Sequence, residues 1–157
     1  TTGKSVKLAG RMLHRIAIML LRLTPWRHTP RVRIVVRSQG DVLLIRGWFS
    51  NQAWSLPGGG IEKGETPVQA AVRELREEES RGVGADAMHY VTTIRFQTTN
   101  TDFYIFVCEV ASQDLSPLIP PHNKEIIARG WYEQSRLPLE VRPEYRQAVQ
   151  LAIETKN

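Results

Sequence analysis

Three glutamates, Glu74, Glu77 and Glu78, stand at i, i+3 and i+4 behind a run of glycines, Pro57-Gly58-Gly59-Gly60 and then Gly64-Glu65. On a helix these carboxylates share one stripe, and each like-charged pair costs about 0.2–0.5 kcal/mol. They therefore need solvent, neighbouring arginines or a cation. From the glutamates alone, a solvated acidic face paired with Arg73, Arg76 and Arg81 is the simpler account. The glycines shift the balance, because a chain without side chains can bring its backbone close to the acidic stripe. Carbonyls and carboxylates together suit a hard cation. Mg²⁺ takes oxygen ligands in an octahedron, keeps several waters, and sits between one or two carboxylates and substrate phosphates. The chemistry this points to is metal-assisted attack on a phosphate.

The element that must carry these carboxylates can be read directly. Thr66 and Gln69 form a capping-box pair, and Pro67 falls at the first helical position, so a helix is predicted to start near Pro67. Val68, Ala71, Val72 and Leu75 recur at i, i+3, i+4 and i+7 and form its buried stripe. At about 100° per residue, the acidic stripe lies roughly 120° from the apolar one. It flanks the core and overlooks whatever lies beside the helix.

Trp54-x-x-Pro57-Gly58-Gly59, Gly64-Glu65 and Arg73-Glu74-Leu75-x-Glu77-Glu78 together resemble the signature of the Nudix hydrolases. The resemblance implies a loop-helix-loop that binds Mg²⁺, with Mn²⁺ as a substitute, and hydrolysis of nucleoside diphosphates linked to another moiety. Position by position, Glu74, Glu77 and Glu78 match the metal-ligating glutamates, and Gly59 matches a glycine whose carbonyl ligates metal. Arg73 and Glu65 match the pair that orients them. One departure stands out: the family pattern has a glycine two residues after the last glutamate, where this chain has Ser80, with Gly82 following two residues later. The ligands are expected to survive this change, and the end of the helix to differ.

The chain has 157 residues, the size of one domain. Its single cysteine, Cys108, lies in the apolar run 103–110 and cannot form an internal disulfide, so a reducing, cytoplasmic compartment is expected. No stretch of about 18 apolar residues is present to span a bilayer. The net charge of +5 is unevenly spread, since residues 1–40 hold nine Lys/Arg and no Asp/Glu. Ala9, Met12, Leu13, Ile16, Met19, Leu20 and Leu23 follow helical spacing, with Lys7, Arg11, Arg15 and Arg22 between them. A basic amphipathic helix is expected here, packed on its own domain or on a second copy as a homodimer. A peripheral position on an anionic membrane is the alternative. The short apolar run 16–21, interrupted by Arg22, makes a poor signal peptide.

Residues 31–38 and 41–47, around Gln39-Gly40, read as a hairpin with Val32, Ile34 and Val36 facing the core and Arg31, Arg33 and Arg37 on the other side. Arg46, near the strand end that leads to the glycines, is a candidate phosphate contact. Trp48 and Phe49 are candidates to stack on a nucleobase. Residues 88–97 and 101–111 form a second strand pair, and the latter is apolar on both faces, as an interior strand requires. A proline-punctuated loop, 111–124, then delivers Glu125, which stands six residues before Trp131-Tyr132. The Nudix resemblance gives such a glutamate the role of base or extra metal ligand, with His122 as a weaker alternative. Pro143 opens a last helix with a stripe of Tyr145, Ala148, Val149, Ala152 and Ile153.

The fold class expected is α/β, the resemblance implying a Nudix-like α/β/α sandwich with a mixed sheet, plus the extra N-terminal amphipathic helix. Residues 1–30 form the arm and linker, and residues 31–157 the hydrolase domain. The function expected is divalent-metal-dependent hydrolysis of a diphosphate linkage in a nucleotide or nucleotide-sugar-like molecule. A non-catalytic nucleotide-sensing module of the same fold is the alternative. No helix-turn-helix or zinc-finger pattern favours nucleic acid.

Overall fold

The structure, a computed structural model, describes residues 29–79, 82–113 and 126–155. A five-stranded mixed sheet carries a helix on each face. In chain order the strands are β1 (Arg31–Ser38), β2 (Asp41–Gly47), β3 (His89–Phe96), β4 (Thr101–Glu109) and β5 (Ile126–Glu133), and the helices are α1 (Pro67–Glu79) and α2 (Pro143–Glu154). The spatial order is β3-β4-β1-β2-β5, with β1 and β4 parallel and every other pair antiparallel. The expected N-terminal helix lies outside the described residues.

Alternation along the strands makes two cores. Val32, Ile34 and Val36 of β1, Leu43 of β2 and Phe106 of β4 pack against Ala70, Ala71 and Leu75 of α1. On the other face, Val35, Val42, Leu44, Phe103, Ile105 and Val107 meet Tyr145, Ala148, Val149 and Ala152 of α2. β1 is thus packed on both sides, with Val35 in a second core on the face that Arg31, Arg33 and Arg37 share. Arg37 on that face pairs with Glu109 at 3.0 Å and donates to the carbonyl of Ala152 near the end of α2, leaving it a structural task. β5 was not foreseen. It adds to β2 from Asp41↔Glu133 to Gly47↔Ile126.

The hairpin turn has positive φ at both Gln39 and Gly40, the twist that suits a two-residue connection. β1 and β2 pair directly only beside this turn, at Arg37↔Val42 and Ser38↔Asp41. Beyond it they part, and the segment from Trp54 to Gly60 fills the gap. Ile45 and Ser55 exchange backbone hydrogen bonds on one side, while Ile34 N donates to Pro57 O and Val32 N to Gly59 O on the other. The glycine run is therefore built into the middle of the sheet.

Candidate active site

The helix that bears the acidic stripe begins where its capping chemistry dictates. Thr66 N donates to Gln69 Oε1 at 2.8 Å and Gln69 N donates back to Thr66 Oγ1 at 3.3 Å, so two orphan donors of the first turn are satisfied. Ala71 and Leu75 are fully buried, which rotates Arg73, Glu74 and Glu77 toward the glycine run. Two glycines permit this approach. A Cβ on Gly58, whose φ is +138°, would fall 2.2 Å from the carbonyl oxygen of Val32, and one on Gly59 would fall 2.2 Å from Glu74 Oε1.

Arg73 is the hub. Its Nε and Nη2 reach the two oxygens of Glu65 at 2.8 and 3.0 Å, its Nη1 reaches Glu74 Oε1 at 2.9 Å and Glu77 Oε2 at 3.3 Å, and Nη2 also donates to the carbonyl of Gly60 at 2.9 Å. Glu65 takes a further bond from Glu62 N. The Arg73 hydrogen bond holds the Glu65 carboxyl below the usual carboxylate range, against its burial. Glu65 in turn raises the Arg73 guanidinium further above an already high value. Glu74 behaves in the opposite way: burial pushes it up, Arg73 opposes this, the charge of Glu77 adds to it and that of Arg33 opposes it. A carboxylate that is both desolvated and crowded by another gains from a cation.

The donor set fits a hard divalent ion in kind. Glu74 and Glu77 converge on one nitrogen of Arg73, so their oxygens can also converge on a cation, and they are oxygen ligands of the type Mg²⁺ and Mn²⁺ accept. Among the described residues, no three Asp, Glu, His or Cys side chains gather into a metal-holding group. Glu78, the third member of the stripe, is on α1 with its side chain outside the described part of the structure. The carbonyl of Gly59 already accepts the Val32 amide, which leaves one lone pair.

A NUDIX domain model matches residues 27–152. The chain belongs to the Nudix hydrolase family. Among curated Nudix relatives, phosphatase NudJ of Escherichia coli K12 is 30% identical over 102 residues, which cover 64% of this chain and 65% of that protein. The match thus spans slightly less than two thirds of the relative's length. Solved structures share the Nudix fold. A MutT NUDIX hydrolase from Burkholderia pseudomallei superposes with a TM-score of 0.67 at 18% identity, covering 79% of this chain and 97% of the other. The dihydroneopterin triphosphate pyrophosphohydrolase of E. coli gives 0.64 at 20%, covering 82% and 97%. An ADP-ribose pyrophosphatase from Streptococcus suis gives 0.62 at 20%, covering 82% and 92%.

The other expected residues are placed less closely. Arg46 lies on β2 with its guanidinium carbon 4.3 Å from the centre of the Trp54 ring, and Trp54 meets Tyr132 edge-on at 5.0 Å. Nε of Arg46 is buried without a hydrogen-bond partner among the described residues. Trp48 stands in a short 3-10 turn after β2 and is 58% exposed, while the side chain of Phe49 beside it is outside the described structure. Glu125 and His122 lie outside the described residues. The glycine run was expected to bring backbone to the acidic stripe, but two particular contacts were not: the Gly60 carbonyl that holds Arg73, and Gly58 closing on the carbonyl of Val32. Both were signalled by a glycine run longer than a turn requires.

Proposed function

We propose that this Nudix chain hydrolyses a diphosphate linkage in a nucleoside diphosphate derivative, by water attack assisted by Mg²⁺, with Mn²⁺ able to substitute. The observation that carries this reading is the convergence of Glu74 and Glu77 beside Gly59, with Arg73 and Glu65 fixing their orientation. Glu74, Glu77, Glu78 and the free lone pair of the Gly59 carbonyl would hold the metal. Bound there, it would neutralise phosphate oxyanions and favour ionisation of a water. Arg73 orients Glu74 and favours its ionised form against burial through charge-assisted bonds. Glu125 takes the water's proton or orients the water, a role worth roughly 10²–10⁴-fold.

The rest of the substrate extends toward β2. Arg46, stacked on Trp54, receives the substrate's second anionic group, and Trp48 and Phe49 offer flat surfaces for a base. The substrate class is a nucleotide or nucleotide sugar, in line with the ADP-ribose for which one structural neighbour is named. Residues 1–30 are an appended arm that packs on the domain or on a second copy, and residues 31–157 are the hydrolase unit. Among the described residues no helix is long and apolar enough to cross a membrane, which says nothing of strands.

The test is a panel of nucleoside diphosphate derivatives assayed with Mg²⁺ and Mn²⁺. Glu77→Gln and Glu78→Gln should fold and lose activity on the order of 100-fold, the scale of removing a group that stabilises transition-state charge. Full turnover in excess chelator, or in either variant, refutes the metal assignment. Nucleotide binding without turnover of any compound would favour the sensing module instead.

A further inference from the structure

Arg33 projects from β1 onto the α2 face, where both Phe103 and Tyr145 are buried. Its guanidinium carbon lies 5.1 Å from the Phe103 ring centre and 5.9 Å from that of Tyr145. Nε donates to the Tyr145 hydroxyl at 3.2 Å, and Nη1 donates to the carbonyl of Val32 at 3.1 Å. Desolvating a guanidinium is costly unless rings and acceptors replace its water, and here both do. Arg33 is half-buried, so its guanidinium gives up part of its water to be held against two rings, a hydroxyl and a carbonyl, and a position fixed in this way invites a reason beyond packing.

The reason lies across the sheet. The Val32 carbonyl that Arg33 holds is the atom against which Gly58 closes, and the Arg33 Cα is the next nearest backbone residue to that glycine. On the other side of the Val32 Cα, in the preceding peptide, Val32 N donates to Gly59 O, and Gly59 seats Glu74. A continuous path therefore runs from Tyr145 on α2 through Arg33 and the Val32 backbone to the glycine loop and Glu74 on α1.

We propose that Arg33, locked by Tyr145, is a positioning residue of the divalent-cation site, fixing the backbone on both sides of the Val32 Cα so that the Gly59 carbonyl and the Glu74 carboxylate hold their spacing. This rests on the metal-hydrolase reading above. Neither residue touches substrate in this scheme. Arg33→Lys keeps the charge but not the fork and the stacked plane, so it should not rescue.

The test uses the full chain, with Mn²⁺ binding to the metal-free protein followed by electron paramagnetic resonance, alongside kcat, KM and thermal melting. Removing a positive charge would by itself tighten a divalent cation, so a weaker Mn²⁺ affinity in Arg33→Met can come only from lost geometry. The expected result is Mn²⁺ affinity reduced several-fold and kcat reduced about tenfold or more, since small misplacements in a site cost up to roughly 10²-fold, with KM little changed. Tyr145→Phe, which removes only a hydroxyl, should move the same quantities less, and the double variant should be no worse than Arg33→Met. If Arg33→Met does not fold, Tyr145→Phe decides. Unchanged or tighter Mn²⁺ binding with unchanged kcat per folded molecule overturns the proposal, leaving Arg33 a purely structural residue. Failure of the underlying reading looks different: the wild type itself would bind no Mn²⁺, and the proposal would fall with it.

Discussion

The carboxylate of Glu74 occupies the place where a side chain on residue 59 would begin, its Oε1 only 2.2 Å from an ideal Cβ on Gly59. Helix and loop are thus fitted at a point where one carbon atom is too many. The neighbouring Gly58 is constrained by backbone instead, against the carbonyl of Val32.

Alanine at these two positions should therefore separate stability from function. At Gly59 the obstacle is the end of a side chain that can swing away, so Gly59→Ala should cost about 1 kcal/mol of stability or less and abolish most metal-dependent turnover. At Gly58 the obstacle is main chain and φ is positive, so Gly58→Ala should cost about 3 kcal/mol or more. Urea unfolding beside turnover measures both. Gly59→Ala with wild-type turnover would remove Glu74 from the site.

Of the three carboxylates held by Arg73, Glu65 and Glu74 should respond oppositely to pH in the metal-free protein. Glu65 is held below its unfolded value by Arg73. Its contribution is present above about pH 4.3, the ordinary glutamate value, and is lost as pH falls through the lower folded value. Glu65→Gln should thus lose about 1–2 kcal/mol near neutral pH, with the deficit shrinking in acid. Glu74 is raised, chiefly by burial. Its contribution is present below the unfolded value and lost as pH rises through the folded one. Glu74→Gln should equal or exceed wild-type stability at pH 7, an advantage that disappears on acidification. Parallel pH profiles for the two variants would contradict the assignment.

Much of this arrangement was legible because local chemistry decided it. Thr66 and Gln69 set the start of α1, Gln39-Gly40 set the hairpin, and the doubly apolar run through Phe103 to Cys108 marked β4 as interior. What periodicity could not convey was partnership over distance. Nothing in the segment before Gln39 indicates that β1 takes its main partner from β4, or that Arg33 meets Tyr145, 112 residues away. Alternating arginines in β1 look like a solvated face, and only α2 packing on them makes Val35 a core residue. β5 escaped because Arg129 and Gly130 interrupt its apolar pattern.

Arg46 should act on the substrate and not on the metal. Arg46→Ala is expected to raise KM about tenfold, the loss of roughly one charge-assisted hydrogen bond, while Mn²⁺ affinity stays at or above wild type. Arg46→Lys should recover little, since an ammonium cannot reproduce the stacked plane over Trp54. A change confined to Mn²⁺ affinity would reassign the residue.

Removing residues 1–23 should lower stability or change the oligomeric mass while leaving metal-dependent hydrolysis per folded molecule. Each sheet face already carries a described helix, and an uncovered apolar stripe needs some partner. Sedimentation, melting and turnover together decide this. Unchanged mass and stability with lost binding to anionic vesicles would establish the membrane alternative, and a folded but inactive protein would place the arm in the active site.

The parting of β1 from β2 has a consequence in time. Strands adjacent in sequence usually zip from their turn, but here the zipper stops after two rungs, and β1 must wait for Phe103 through Glu109 and for Pro57 and Gly59. Pairings between distant segments are the slow part of folding. Recovery of Mn²⁺ binding on refolding should then coincide with recovery of the sheet, and a lag between them would refute this. The glycine loop serves as the keystone of an arch, so a molecule that has finished its sheet has already seated the loop on which the proposed site depends.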